Sequence, residues 1–349
     1  MSGFAHQRFQ DLGGGFRLGD LRSPAALRDG LRGAVIGQDE AVEAVVRALT
    51  IAAVGLRDPH RPIASLLLVG PTGVGKTELA RQVAQHVRGD VDNLCRIDMN
   101  SLAQEHYAAS LSGAPPGYAG SKEQFSLFDR ETVEGTPNRP GVVLFDEVEK
   151  AHPTVLRALL QILDTGRLRL ASGTSDIDFR NAVVLLTSNL GSREVHDLGR
   201  RSPSATARRV MRSVRGLSHR EIVLERVRDF FDPELLNRFD EVIVFDAVDP
   251  TTARAIVDRE IDGLIASLAG RGTGCVVTGD ARELLLDRAF DARYGARALR
   301  RALRVHLVAP IAAAIADSDG PLELLVDVDG GGVRVTPTVV APDAVSSNG

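Results

Sequence analysis

Eight consecutive residues, Gly70-Pro71-Thr72-Gly73-Val74-Gly75-Lys76-Thr77, set glycines, a lysine and a hydroxyl at GxxxxGK[ST] spacing. Glycines let backbone N–H groups turn inward on a polyanion, and a helix starting at the lysine adds the positive end of its dipole. Lys76 can then reach the β- and γ-phosphate oxygens, and Thr77 can ligate Mg²⁺. The chemistry implied is a grip on ATP. Lysine occurs only at positions 76, 122 and 150, so its presence at the motif position owes little to composition.

Two adjacent carboxylates close a short apolar run, Val142 to Glu147. At the end of a buried strand, Asp146 can hold Mg²⁺ through water while Glu147 orients and activates the attacking water. Alone, such a pair is also how a solvated loop begins; beside a phosphate loop it reads as functional. A second apolar run, Ala182 to Leu186, leads into Thr187-Ser188-Asn189. A polar group at that strand tip can touch both γ-phosphate and water, or simply end the strand in a turn.

Arg238, within Pro233 to Phe239, and Arg297, after Tyr294-Gly295-Ala296, are candidates for charge compensation at the γ-phosphate. A guanidinium is permanently charged and forks onto phosphate oxygens. Most arginines of an arginine-rich chain are solvated surface charges, however, and composition leaves the choice open. The loop Gly113 to Gly120 holds one aromatic between glycines. Tyr118 can grip an extended polypeptide, or sit on a surface turn.

These groups need a frame. Ala64 to Gly70 is short, apolar and runs straight into the glycine loop, as a parallel strand buried on both faces does, and 142–145 and 182–186 have the same character. Helical stretches at 77–87 and 154–163 predict an α/β sheet with helices on both sides. A short helix near 24–32 and a longer one over 39–56 precede it, the latter with Ala41, Val42, Val45, Val46, Leu49 and Ala52 at helical spacing. Past a Val-Asp-Pro turn near Phe245, helical spacing resumes from Ala255 to Leu268. Further helices are predicted at 281–290 and 297–316, the last kinked or split by Pro310. The segment 322–337, with its three central glycines, predicts a hairpin. The expected organisation is a flexible tail (1–24), a large α/β domain (25–246), a small α-rich domain with a β-hairpin (247–337) and a disordered tail (338–349).

Composition narrows the partners. A chain of 349 residues with 44% apolar content supports a large core and a satellite domain. A net charge of -4 carries no basic excess, so nucleic acid is not the expected partner. Cys95 and Cys275 stand far apart with no CxxC or Cys/His cluster, which predicts neither disulfide nor zinc site. No signal-peptide core or membrane-length apolar stretch is present, so a cytoplasmic protein without membrane partners is expected.

Taken together these stretches resemble the second ATPase domain of Clp-type unfoldases, especially ClpB-like disaggregases. The likeness runs in unbroken order over about residues 25 to 337, from Val35-Ile36-Gly37-Gln38 through the glycine loop, GAPPGYAG, VVLFDEVEKAHP, LLQILDTGRL, DFRNAVVLLTSNLGS and PELLNRFDEVIVF to YGARALRRAL. The resemblance implies an AAA+ P-loop fold, a three-layer α/β domain followed by a small lid, hydrolysing ATP to ADP and phosphate with Mg²⁺. It implies a ring, taken as a hexamer, with ATP at each subunit boundary. Val35 and Ile36 would line the adenine pocket, Asn189 would be sensor 1, Arg238 the finger acting on a neighbour's ATP, and Arg297 sensor 2. Gly117, Tyr118, Ala119 and Gly120 would form a pore loop that pulls polypeptide through the ring.

Unlike the full-length disaggregases, the chain shows no second phosphate loop, amino-terminal substrate domain or coiled-coil middle segment, so substrate delivery, through an adaptor protein or otherwise, is expected to differ. Protease-coupled relatives carry an apolar-glycine-apolar tripeptide between sensor 1 and the finger. Here that region offers Arg215-Gly216-Leu217, and an arginine entering an apolar pocket incurs a desolvation penalty. A peptidase ring is therefore a disfavoured partner. The expectation is a stand-alone unfoldase or remodelling motor. Its alternatives are a nucleotide-gated assembly switch that does not thread its partner, and the ATPase subunit of a Clp-like protease.

Overall fold

The computed structural model describes residues 23–104, 127–136, 138–169, 176–192, 218–290, 295–317 and 322–339. The chain divides into two compact units, Met1–Asp246 and Ala247–Gly349.

The first unit is built on a five-stranded sheet. Its strands are β1 (Ala64–Val69), β2 (Cys95–Asp98), β3 (Gly141–Asp146), β6 (Ala182–Ser188) and β7 (Glu241–Val244), in the order β2-β3-β6-β1-β7. Every pairing is parallel. β1, β3 and β6 are buried along their whole lengths, which is why they read as unbroken apolar runs rather than alternating ones. Side chains alternate between faces. Leu67, Val69, Val143, Phe145, Val184 and Leu186 share a core with Val155, Leu159 and Ile162 of α5 (Pro153–Thr165). α2 (Asp39–Ala53) packs against β1 and β7, while α3 (Lys76–Arg88) packs against β3 and β6. α1 (Pro24–Ala34) lies on α2 and α3.

Local chemistry sets the ends of these elements. The Ser23 hydroxyl accepts from Ala26 N–H with Pro24 in the first turn, a pre-organised start for α1. α2 ends at Ala53, three residues short of the helix expected over 39–56, because the chain turns at Gly55 with φ 77°. α5 starts from the His152 ring and Pro153 and ends at Gly166, whose φ of 63° suits only glycine well. A short helix α4 (Arg130–Glu134) precedes β3, and a small antiparallel pair, β4 (Arg167–Arg169) with β5 (Asp176–Asp178), follows α5. α6 (His219–Phe230) opens with a capping box of Ser218 and Glu221, and α7 (Pro233–Leu236) leads into β7.

The second unit joins α8 (Pro250–Ala269), α9 (Gly279–Ala289), α10 (Gly295–Leu303) and α11 (Ala309–Ala316) to a three-stranded sheet. β9 (Leu322–Asp329) and β10 (Gly332–Val339) form an antiparallel hairpin through Gly330 and Gly331, both at positive φ. Two left-handed residues in a two-residue loop match the twist of the flanking strands, and glycine reaches that conformation without strain. β8 (Gly274–Val277), parallel to β9, was not anticipated from sequence. The helix expected at 297–316 is interrupted by a π-helical turn at Arg304–Val308, immediately before Pro310. Proline lacks the N–H and crowds the preceding turn; the widened turn absorbs both. Arg282 of α9 bonds Asp258 at 3.0 Å and Asp262 at 2.6 Å on one side of α8, and Arg300 of α10 bonds Glu260 at 2.8 Å on another, so two helices are tied to α8 through its carboxylates.

Both cysteines are free and buried, and burial raises both thiol pKa values. Among the described residues, no helix is long and apolar enough to cross a membrane.

Candidate functional site

Because the central strands are parallel, the ends of β1, β3 and β6 open on one edge of the sheet, and the residues just beyond them meet there. The glycine loop leaves β1. Gly70, Gly73 and Gly75 have φ of 150°, 77° and 109°, a region glycine enters freely. Space is also limiting: a Cβ on Gly70 would come within 2.7 Å of the Phe245 carbonyl oxygen, and one on Gly75 within 3.1 Å of a Val35 methyl. Val35 therefore lies directly against the loop. Ile36 beside it is half-buried. Gln38, 3% exposed, donates to Asp246 O and accepts from Asp246 N–H, both at 3.0 Å, which locks this segment to the end of β7.

Between Gly70 and Gly75, Pro71, Thr72, Gly73 and Val74 form the body of the loop, with Val74 turned into the core. α3 begins on Gly75 with no side-chain cap, so its first N–H groups are left for an anion. Lys76 is its first residue and is buried. Its ammonium donates to the carbonyls of Gly70 (2.7 Å) and Pro71 (2.6 Å) and to Asn189 Oδ1 (3.0 Å). Thr77 follows, half-buried.

The carboxylate side is assembled from three strands. Asp146, the last residue of β3, is 7% exposed. Its Oδ1 accepts from the Thr187 hydroxyl, and its Oδ2 accepts two bonds from the Arg96 guanidinium of β2, at 2.5 and 3.1 Å. Glu147 is the one non-glycine residue at positive φ (59°) among those described. A left-handed non-glycine residue costs about 1–2 kcal/mol and persists only where neighbours hold it. Here the hold is explicit: Glu147 N–H donates to Thr187 Oγ1 at 3.0 Å, and Glu147 Oε1 accepts from Asn189 Nδ2 at 3.2 Å.

Asn189 is the link between the two sides. Lysine can only donate and a carboxylate only accept, so its amide oxygen must face Lys76 and its NH₂ must face Glu147. Its backbone N–H donates to Glu149 Oε1 at 3.1 Å, which pins the tip of β6 to the acidic turn. A group contacting Lys76 on one side and Glu147 on the other can register a phosphate at the lysine and pass a shift to the carboxylate.

The oxygen set suits Mg²⁺. The Asp146 carboxylate and Thr77 hydroxyl are hard ligands, and among the described residues no three His, Cys, Asp or Glu converge on a protein cage.

Arg238 follows α7, where its guanidinium pairs with Asp164 of α5 at 3.1 Å while its Nε is buried with no hydrogen-bond partner. Its carbonyl accepts from Arg61, which also reaches Leu163 O at 3.0 Å. Burial raises the pKa of the neighbouring Asp240, against the bond from Ser65 N–H and the charge of Arg61. Arg297 is exposed on α10 of the second unit. The pore-loop residues Gly117, Tyr118, Ala119 and Gly120 and the tripeptide Arg215 to Leu217 lie outside the described residues.

Sequence reasoning missed Arg96, Glu149, Gln38 and the hydroxyl of Thr187. The available signal for Arg96 was the alternation Cys95, Arg96, Ile97, Asp98, whose burial pattern is that of a half-exposed edge strand. Nothing in a linear reading says that an exposed arginine on β2 reaches the carboxylate ending β3.

The chain matches the family model described as AAA domain (Cdc48 subfamily) over residues 61–242, and that of the C-terminal, D2-small domain of ClpB protein over 249–322. It is 56% identical to an ATP-dependent protease ATP-binding subunit-like protein of Rhodococcus erythropolis, covering 83% of each chain. To a protein of that description called AmiB, from Pseudomonas aeruginosa, it is 42% identical, covering 85% of this chain and 81% of that one. The chaperone protein ClpB of Rhizobium meliloti is 40% identical over 88% of this chain, which spans 34% of that longer protein. Among solved structures, Hsp104 with ATPγS and FITC casein superposes with a TM-score of 0.77 at 30% identity, over 94% of this chain and 54% of that one.

Proposed function

Because the chain belongs to the Clp family of AAA+ ATPases, and so binds and hydrolyses ATP, we propose that it is an ATP-driven polypeptide-remodelling motor acting as a ring, of six subunits in this reading. The observation that carries its ATPase cycle is the bonding of Asn189 to both Lys76 and Glu147. In the proposed cycle Lys76 and the loop N–H groups hold the β- and γ-phosphates, and Val35 and Ile36 flank the adenine. Thr77, and Asp146 through water, would hold Mg²⁺, which would supply charge neutralisation at the phosphates. Glu147 takes the proton of the attacking water, and Asn189 keeps that carboxylate in register with the lysine.

Arg238 is assigned to the nucleotide of the adjacent subunit. The assignment follows the resemblance to Clp-type ATPases; within its own chain the guanidinium pairs with Asp164 of α5. Arg297 is assigned to the γ-phosphate as the lid's contribution. Polypeptide handling rests on Tyr118 between its glycines, and on the likeness to Hsp104 solved with FITC casein. Tyr118→Ala should abolish processing of a tagged, folded model substrate while ATP hydrolysis continues. Unchanged processing would favour a nucleotide-gated switch that binds its partner without threading it.

A second reading has its own support: two relatives spanned over most of their length are described as protease ATP-binding subunit-like. In that case the ring delivers polypeptide to a peptidase. Stable co-purification of the untreated ring with a peptidase from the native cell would establish it; a ring that remodels substrate alone, with no proteolysis recovered, would return the motor reading.

A further inference from the structure

One buried hydroxyl bonds the Asp146 carboxylate and the backbone N–H of Glu147, and has no role in the cycle above. Thr187 is 2% exposed, at the second-to-last position of β6. Its Oγ1 accepts the Glu147 N–H at 3.0 Å and donates to Asp146 Oδ1. The hydroxyl has a single proton, and Glu147 N–H can only donate to it, so that proton is directed at Asp146. Each bond fixes a different carboxylate. The first holds the backbone of Glu147 in its left-handed conformation, which sets where the side chain leaves the chain. The second occupies one oxygen of Asp146 from inside the protein and leaves the other side of the carboxylate toward Arg96 and the sheet edge.

We infer that Thr187 is a positioning residue for hydrolysis, fixing the metal-side and water-side carboxylates relative to one another. The inference rests on the assignment of Asp146 and Glu147 to those roles. Valine has the same shape and no hydroxyl; at 187 it leaves a buried N–H and a carboxylate oxygen without their partner while the strand still packs. Serine keeps the hydroxyl and loses a methyl.

Thr187→Val should lower kcat for ATP by about 10- to 100-fold, in the range of losing an outer partner that orients a functional carboxylate, with nucleotide affinity within about twofold of the parent. Thr187→Ser should return kcat to within about fivefold of the parent, being able to make both bonds again. Both are read on purified protein, with affinity from titration of a fluorescent ATP analogue. Should Thr187→Val fail to fold, Thr187→Ala set against Thr187→Ser gives the same contrast.

A valine variant that turns over at the parental rate overturns the inference. So does one in which kcat and affinity fall in equal measure, the pattern of a merely structural threonine. Glu147→Gln serves as the reference. If it hydrolyses ATP at the parental rate, the carboxylate assignment fails and takes the Thr187 role with it. If it is inactive while Thr187→Val is unimpaired, only the Thr187 inference falls.

Discussion

The site has two halves made in different ways. The phosphate half is one stretch of chain, Gly70 to Thr77, shaped by glycine backbone and by the start of α3. The carboxylate half is gathered from β2, β3 and β6, and its geometry lives in side-chain hydrogen bonds among Arg96, Asp146, Glu147, Thr187 and Asn189. A contiguous half has its shape set by its own backbone and is suited to binding. An assembled half shifts whenever its strands or its bonds shift, and it is suited to gating chemistry. Asn189 bonds both the lysine of the first and the glutamate of the second.

The largest effects should separate the halves. Lys76→Ala removes the buried ammonium from the loop, and ATP affinity should fall by about 10²–10³-fold, the scale of deleting a charge-bearing contact in a pre-organised site. Titration of a fluorescent nucleotide checks this, and retained affinity would show that the backbone alone does the binding. Glu147→Gln should do the reverse. Glutamine keeps an oxygen for Asn189 Nδ2 but cannot take a proton, so turnover should fall by about 10²–10⁴-fold with affinity nearly unchanged. If both variants lost binding together, the division into halves would be wrong.

The same contrast explains what the sequence discloses. Gly70 to Thr77 could be read outright because its function is local: spacing, glycine and the following helix are all in one window. The buried strands were equally plain, since β1, β3 and β6 have no polar alternation to obscure them. Asp146 and Glu147 could be located at a strand end, but their partners could not. Arg96 precedes Asp146 by 50 positions and Thr187 follows it by 41, and only parallel pairing in the order β2-β3-β6 brings them side by side. The short β2 and β8 passed unread for a related reason, as four residues are too few to establish a period.

A smaller effect tests how firmly the assembled half is tied down. Arg96 is more than half exposed, so its pair with Asp146 is screened by water and contributes little to stability. Its position still matters, because a guanidinium at Oδ2 competes with any cation approaching Asp146. Arg96→Ala should lower the Mg²⁺ concentration giving half-maximal ATPase by about two- to fivefold, the equivalent of an exposed ion pair, without unfolding the protein. A rise in that concentration would mean that Arg96 orients Asp146 for the metal instead of competing with it.

The smallest effect concerns the support beneath the contiguous half. α3 carries the loop, and on its far side His86 lies so close to α1 that a Cβ on Gly30 would overlap the imidazole. Burial pushes the His86 pKa below its ordinary value of 6.5, so the folded protein holds the ring neutral. The unfolded chain takes up a proton below that value and the folded one resists it. Stability from this group is therefore complete above pH 6.5 and is lost as pH falls through the lower, folded-state pKa. The unfolding midpoint should drop between pH 7.5 and 5, and His86→Leu should flatten part of that drop. The flattening is partial because His219, also lowered by burial, titrates in the same direction. His219 opens α6, outside the α1–α3 contact, so acid acting through His86 should weaken nucleotide affinity before turnover per bound ATP. An acid loss confined to turnover would place the sensitive contact in the assembled half.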